Sequence, residues 1–354
     1  MNEMNSNAPS PRLISLATAV PRFEIGQPEV QAFGKRLFKR KPETFERLSG
    51  AYSNAGIERR YSCVPLEWYE QEHGWKDRTE LFVENALELL TNAATEVLEK
   101  AELSPDQIDG LVTVSSTGIA VPSLDALLME RMPFRRDVQR LPVFGLGCCG
   151  GVLGLSRTAA LAKAQPGSRW LLLVVELCGL TFRAADLSKS NIIATALFGD
   201  GAAAGIVETR EFGHSISASG EYCWPDSLDV MGWKIEEDGL GVQFSRDIPQ
   251  LVRTELRGAA DRFLSSVEIP FNAIDHFVFH PGGAKVLTAL EEAFEIAVPG
   301  LTVGRSILRD FGNMSAATVL FVLKRILEKP ILGRSLLGAL GPGFTAGFAV
   351  MEHN

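Results

Sequence analysis

Two adjacent cysteines, Cys148 and Cys149, stand in the glycine-rich run Gly145-Leu-Gly-Cys-Cys-Gly-Gly151. Glycine there supplies unusual backbone dihedrals and lets a ligand approach the main chain. The run lies between two apolar segments and reads as a turn from a strand into a helix. A thiol at a helix N-terminus sits at the positive end of the dipole, and with an imidazole nearby its pKa falls, as a nucleophile requires. Free cysteine is equally at home as a small core residue, and the motif alone leaves both readings open. Of five histidines, His280 is distinctive because it ends the apolar run Phe277-Val-Phe279 and precedes Pro281-Gly-Gly283. Its ring would emerge where a buried strand gives way to a tight loop. Asn313, between Gly312 and Met314-Ser-Ala-Ala317, could be an N-cap of the helix running to Leu327 or an amide donor in a site.

The elements that must position these residues alternate between strand and helix. Leu13–Ala19 reads as a strand and Pro28–Phe38 as a helix. A polar stretch follows to about Tyr69, then a long amphipathic helix from Leu81 to Ala101. Short apolar strands are expected at Leu111–Val114, Pro142–Leu146 and Trp170–Val175, with a helix over Val152–Ala164. This alternation indicates a layered α/β fold with a largely buried sheet.

The second half of the chain repeats markers of the first. Ile108-Asp109 recurs as Ile274-Asp275, Gly147-Cys148 as Gly312-Asn313, and Gly167 as Gly333, at offsets of 166, 165 and 166 residues. Duplication makes Cys148 and Asn313 equivalent, each at the start of a helix in its own half. A pseudo-twofold axis would bring those helix starts together. The expected organisation is a disordered leader over 1–12, one half over 13–212 carrying the cysteine, and a second over 213–354 carrying the histidine and asparagine.

Bulk properties narrow the function. With 354 residues, 46% hydrophobic and 22% charged, the chain can bury a large core. A net charge of −8 argues against nucleic-acid binding, since phosphate neutralisation needs a cationic surplus. A phosphate-bearing ligand would need a local patch, for which Lys35, Arg36, Lys39, Arg40 and Lys41, with Arg47, Arg59 and Arg60, are candidates. A solvated helix face explains the same charges. Five cysteines without a secretory signal fit a reducing cytoplasm. The longest apolar run, Trp170–Val175, is too short to span a bilayer.

His280-Pro-Gly-Gly283, Gly312-Asn-Met-Ser-Ala-Ala317 and Gly341-Pro-Gly-Phe-Thr345, with Glu176, Thr181-Phe-Arg183 and Ala196-Leu-Phe-Gly-Asp-Gly-Ala-Ala-Ala204, together resemble the type III polyketide synthases of the chalcone synthase superfamily. The resemblance spans most of the chain. It implies a thiolase fold of duplicated α-β-α-β-α halves, a homodimer, and acyl-CoA and malonyl-CoA as substrates, with no cofactor and no metal. It makes Cys148, His280 and Asn313 the catalytic triad and Phe198 the first of two gatekeeper phenylalanines. The second aligns near Val242, with Phe244 two residues away, and stays unassigned.

Substrate-cavity positions implied by the resemblance are Ser116, Thr117, Cys178, Thr181, Gly199, Ser315, Gly343 and Phe344. Val121 falls where a side chain reaches into the partner subunit's cavity. For coenzyme A the implied residues are Arg47, Gly282 and Gly283. Gly50 and Asn54 stand where plant chalcone synthase has two more cations, which would leave the phosphates to nearby Arg and Lys. Cys178 replaces a plant cavity threonine, as in bacterial members. The implied reaction is iterative decarboxylative condensation of malonyl units onto a starter held on Cys148. A medium or long fatty acyl starter giving alkylpyrones or alkylresorcinols is the expectation. Alternatives are an initiating ketoacyl synthase of fatty-acid synthesis, whose histidine usually sits in a different motif, and a catalytically silent acyl-CoA-binding homologue.

Overall fold

The computed structural model describes residues 10–39, 42–245, 247–297 and 300–353. Nine strands form one sheet in the order His276–Phe279, Gly333–Gly341, Thr345–His353, His214–Cys223, Pro11–Ala19, Asp200–Thr209, Arg169–Leu177, Gly110–Val114, Gln139–Val143. Among the described residues, the two halves of this sheet are joined where Arg12 and Leu13 pair with Ser215 and His214. Around that seam the sheet folds over a central layer made by the helices Gly150–Ala164 and Thr318–Leu327.

Strand periodicity explains the layering. In Arg169–Leu177, Leu172 and Val174 face the central helices, while Leu171, Leu173 and Val175 face the helix Trp75–Lys100 on the outside. Burial on both faces gives the continuous apolar run seen in the sequence. The second half does the same. Leu337 and Ala339 point to the central layer, and Leu336 and Leu340 point to an outer cluster that includes helix Ala284–Ala293. The result is the five-layered thiolase fold.

Duplication is visible in atomic detail. Gly147 and Gly312 are both left-handed, with φ of 48° and 70°, and Gly167 and Gly333 have φ of 87° and 89°. Glu102 and Glu268, each following an outer-layer helix, have φ of 55° and 57°. The Asp109 carboxylate accepts from Arg169 N at 2.8 Å, and the Asp275 carboxylate accepts from Arg334 N at 2.8 Å.

Several sequence expectations shift. Residues 1–9 of the expected leader lie outside the description, whereas Pro11 and Arg12 already belong to the first strand. The stretch before Tyr69 is structured, with a helix Pro42–Ser53 and a strand Arg59–Ser62. The strand expected at Pro142–Leu146 is Gln139–Val143. Its outward residues are exposed because it is the sheet's edge, so apolar content marked its end rather than its span. The long helix starts six residues earlier, at Trp75, since its first turns are solvent-facing and lack a core stripe.

Candidate active site

The turn Gly147–Cys149 and the turn Ser315–Ala317 each open one of the central helices and touch each other. Cys148 and Asn313 therefore come from equivalent ends. His280 follows the strand His276–Phe279, and its main-chain N donates to Gly338 O at 2.8 Å. All three side chains are buried, and all three line one cavity of about 730 Å³.

Asn313 is held by both ends of its amide. Oδ1 accepts from Ser315 N at 2.8 Å, as a helix-start cap would, and Nδ2 donates to Gly282 O at 3.1 Å. An amide nitrogen carries two hydrogens, so a second donor remains for a ligand. Neither ring nitrogen of His280 has a protein partner among the described residues. A buried imidazole with both nitrogens free is costly, and such a group in a cavity is expected where a ligand completes it.

Burial controls the protonation of both groups. It pushes the His280 ring down to about 4 and the Cys148 thiol up to about 12. The Ser315 hydroxyl beside the thiol works the other way, and the charge of Glu176 adds to the rise. In the free site burial therefore disfavours both the thiolate and the imidazolium, opposing the lowering of the thiol pKa expected from the helix dipole. Desolvation of a fully buried sulfur outweighs a dipole end here. Cys149, by contrast, points its sulfur at the carbonyls of Ala339 and Thr345 and is a core residue.

Glu176, which the sequence offers only within a family motif, also belongs to the site. Fully buried, it accepts from Ser116 N at 3.0 Å, Thr117 Oγ1 at 2.8 Å and Ser315 Oγ at 3.3 Å. Burial pushes its carboxyl up to about 7, and those hydrogen bonds resist the rise. The available signal was a carboxylate ending an otherwise apolar strand. Ser116 also fixes the cysteine turn, accepting from Gly147 N at 2.9 Å.

The other expected residues divide. Arg47, Gly282 and Gly283 line the triad cavity, as do Gly50 and Asn54. Lys189 and Lys285, which the sequence reading did not single out, add exposed cations to its open end. Arg59 instead pairs with Glu24 and Arg36 with Glu70, while Arg60 is buried and bonded to the carbonyls of Thr195, Ala196 and Phe198. Arg40 and Lys41 lie outside the described residues.

Phe198, Cys178, Thr181 and Gly199 border a separate space of about 70 Å³, together with Val242. Phe244 lines the triad cavity, and its ring lies 5.6 Å from that of Phe198. Phe344 is buried and packs on Trp224, and Gly343 O accepts from Ser227. Val121 is 93% exposed. Among the described residues no cluster of three metal-ligating side chains occurs, and no helix is long and apolar enough to cross a membrane.

Residues 12–210 match the family described as chalcone and stilbene synthases, N-terminal domain, and residues 215–351 match its C-terminal domain. A putative chalcone synthase of Bacillus subtilis (strain 168) is 35% identical over 351 residues, covering 94% of this chain and 96% of that protein. A 1,3,6,8-tetrahydroxynaphthalene synthase of Streptomyces peucetius subsp. caesius is 37% identical over 314 residues, 86% of this chain and 83% of its own. The crystal structure of 1,3,6,8-tetrahydroxynaphthalene synthase from Streptomyces coelicolor A3(2), a bacterial type III polyketide synthase, superposes with a TM-score of 0.92. It is 26% identical, covering 97% of this chain and 99% of that one.

The protonation state makes a measurable prediction. Below the thiol's pKa the thiolate fraction, and with it alkylation of Cys148 by iodoacetamide, rises roughly ten-fold per pH unit. In the free protein this rise should continue from pH 7 to pH 10 without levelling, and Glu176→Gln should raise the rate at fixed pH. Levelling below pH 7 would show a resting thiolate.

Proposed function

The chain belongs to the chalcone and stilbene synthase family, the type III polyketide synthases, and is an acyltransferase; on that premise we propose that Cys148, His280 and Asn313 carry its chemistry. The observation that supports this most is that the three side chains, from two halves of the chain, line a single cavity.

In the first step Sγ of Cys148 attacks the thioester carbon of a starter acyl-CoA. The thiol proton passes to His280, whose free ring nitrogen can accept it. The carbon to coenzyme A sulfur bond then breaks, and the proton leaves with coenzyme A. Contacts of this kind are often long in a free enzyme and tighten with substrate bound.

Malonyl-CoA follows, with its thioester oxygen between the ring N–H of His280 and the second amide hydrogen of Asn313. Loss of carbon dioxide places negative charge on that oxygen. Two aimed donors in a buried site stabilise it far more than water would. The enolate carbon attacks the acyl group on Cys148, forming the new carbon–carbon bond and releasing the cysteine sulfur. Decarboxylation drives each cycle, so the reading requires no redox cofactor, nucleotide or metal.

Arg47, Lys189 and Lys285 at the open end suit the phosphates of coenzyme A, with Gly282 and Gly283 letting the pantetheine arm pass close to the backbone. Phe198 and Phe244 form the aromatic pair beside it, which favours Phe244 over Val242 as the second gate. The starter in this reading is a medium or long fatty acyl group, and the products are alkylpyrones or alkylresorcinols. The mainly apolar cavity supports that choice. The halves are assigned to 13–212 and 213–354, and five unpaired cysteines fit a reducing cytoplasm.

A homodimer belongs to the same reading. Val121, Phe144, Ile119 and Leu141 are 93%, 57%, 45% and 36% exposed, and they cluster at the edge strand Gln139–Val143 and the loops beside it. Apolar groups on an open sheet edge call for a partner.

Two experiments test these statements. Mass spectrometry after incubation with malonyl-CoA and starters from acetyl to stearoyl should give starter-dependent polyketides, with medium and long chains preferred. His280→Ala and Asn313→Ala should lower condensation by at least about a hundred-fold, the scale of lost oxyanion donors. Turnover of aromatic starters or malonyl-CoA alone would defeat the fatty acyl reading. Light scattering should give twice the mass of one chain, and Phe144→Asp should weaken association; a monomer at micromolar concentration would refute the dimer.

A further inference from the structure

A hairpin of two short strands, Met231–Glu236 and Gly239–Phe244, touches both internal spaces. Val242 borders the smaller one, beside Cys178, Thr181 and Phe198, and Phe244 lines the triad cavity. The rings of Trp233 and Phe244 stand 6.0 and 5.6 Å from that of Phe198. Whatever fixes the hairpin therefore fixes the gap between Phe198 and the two rings facing it.

Strand pairing alone holds the hairpin weakly. Among the described residues its strands pair only with each other, outside the nine-stranded sheet. A lone two-stranded hairpin is marginally stable in water. Polar contacts to the rest of the molecule converge on its tip. Arg183 Nε donates to Asp238 Oδ1 at 2.6 Å, Arg78 Nε donates to Asp238 O at 3.0 Å, and Trp75 Nε1 donates to Glu236 O at 2.9 Å. The strand Gly239–Phe244 lies directly on both arginines. A Cβ on Gly239 would stand 3.1 Å from Arg78 Cδ, and one on Gly241 would stand 2.8 Å from Arg183 Nη1.

Both arginines are themselves tied to the walls of the site. Arg78 is buried, and its Nη1 donates to Leu180 O, in the turn Cys178–Thr181, and to Phe182 O. Arg183 O accepts from Asn191 Nδ2 at 2.9 Å, and Asn191 lies in the helix Lys189–Leu197, whose C-cap is Phe198. Asp238 thus closes a set of contacts that joins hairpin, turn and helix. A guanidinium–carboxylate hydrogen bond is short and directional, so the tie fixes a distance as well as adding stability.

We infer that Asp238 is a positioning residue: with Arg78 and Arg183 it latches the hairpin Met231–Phe244 and so sets the gap between Phe198 and the Trp233 and Phe244 rings, by which the enzyme discriminates among acyl starters. This rests on the polyketide synthase reading above and adds the group that holds its aromatic gate in place.

The test compares full-length wild type, Asp238→Ala and Asp238→Glu; Asp238 is 37% exposed, so its replacement opens no core cavity. In Asp238→Ala, amide hydrogen exchange should quicken over residues 231–244, while residues 169–177 of the large sheet keep their protection. Measured from acetyl-CoA to stearoyl-CoA, the ratio of kcat/KM between the best and the poorest starter should fall by roughly ten-fold or more, the scale of one lost hydrogen bond between charged groups. Asp238→Glu should restore most of that ratio. Partial unfolding lowers the rate for every starter equally and leaves the ratio unchanged, so a purely structural role does not give this result. Unchanged exchange over 231–244, or faster exchange with an unchanged ratio, would overturn the inference while the wild type still makes polyketides. A wild type that turns over none of the starters would remove the reading it rests on, and the inference with it.

Discussion

One close approach makes the site possible. The helix Gly150–Ala164 meets the turn Ser315–Ala317 with no side chain between them. A Cβ on Gly151 would stand 2.2 Å from Ala316 O and 2.6 Å from Val319 Cγ1, and one on Gly150 would stand 3.0 Å from Ala316 Cβ. Atoms in packed interiors do not approach so closely, so any larger residue would push the two helix starts apart. With glycine there, Cys148 and Asn313 border the same space. His280 joins them because its strand pairs in parallel with Gly333–Gly341, whose far end packs on the cysteine turn.

This packing has an electrostatic consequence. Three buried polar groups share one cavity, and burial is the main cause that disfavours the charged forms of both thiol and imidazole. In the proposed reaction the free donors of His280 and Asn313 lie where charge would develop, in surroundings that disfavour charge beforehand. A low-dielectric surrounding strengthens those donors when an enolate oxygen forms between them. Glu176 is the exception, a carboxyl raised by burial to about 7, so that it carries partial negative charge near neutral pH, and tied through Ser315 to the cysteine's surroundings.

Much of this was legible in the sequence. Alternating apolar runs gave the layered α/β architecture, and repeated markers gave the duplication, because Asp109 and Asp275 make the same main-chain bonds and Gly147 and Gly312 the same left-handed step. The motifs around Cys148, His280 and Asn313 resembled those of the family to which the chain belongs. Three things were not legible. Thiol protonation depends on burial, which one-dimensional spacing does not report. Lys189 and Lys285 converge with Arg47 only through folding. The space available to an acyl chain depends on which side chains fill the outer core.

The central claim is that Cys148, and not its buried neighbour or any of the other three thiols, carries the growing acyl group. Its most direct test is to load the protein with a starter acyl-CoA in the absence of malonyl-CoA, quench in acid, digest, and locate the acyl mass on a peptide by fragmentation. The account predicts one acyl group per chain on Cys148, with Cys149 unmodified. An acyl group on Cys149, Cys178 or Cys63, or loading undiminished by Cys148→Ala, would contradict it.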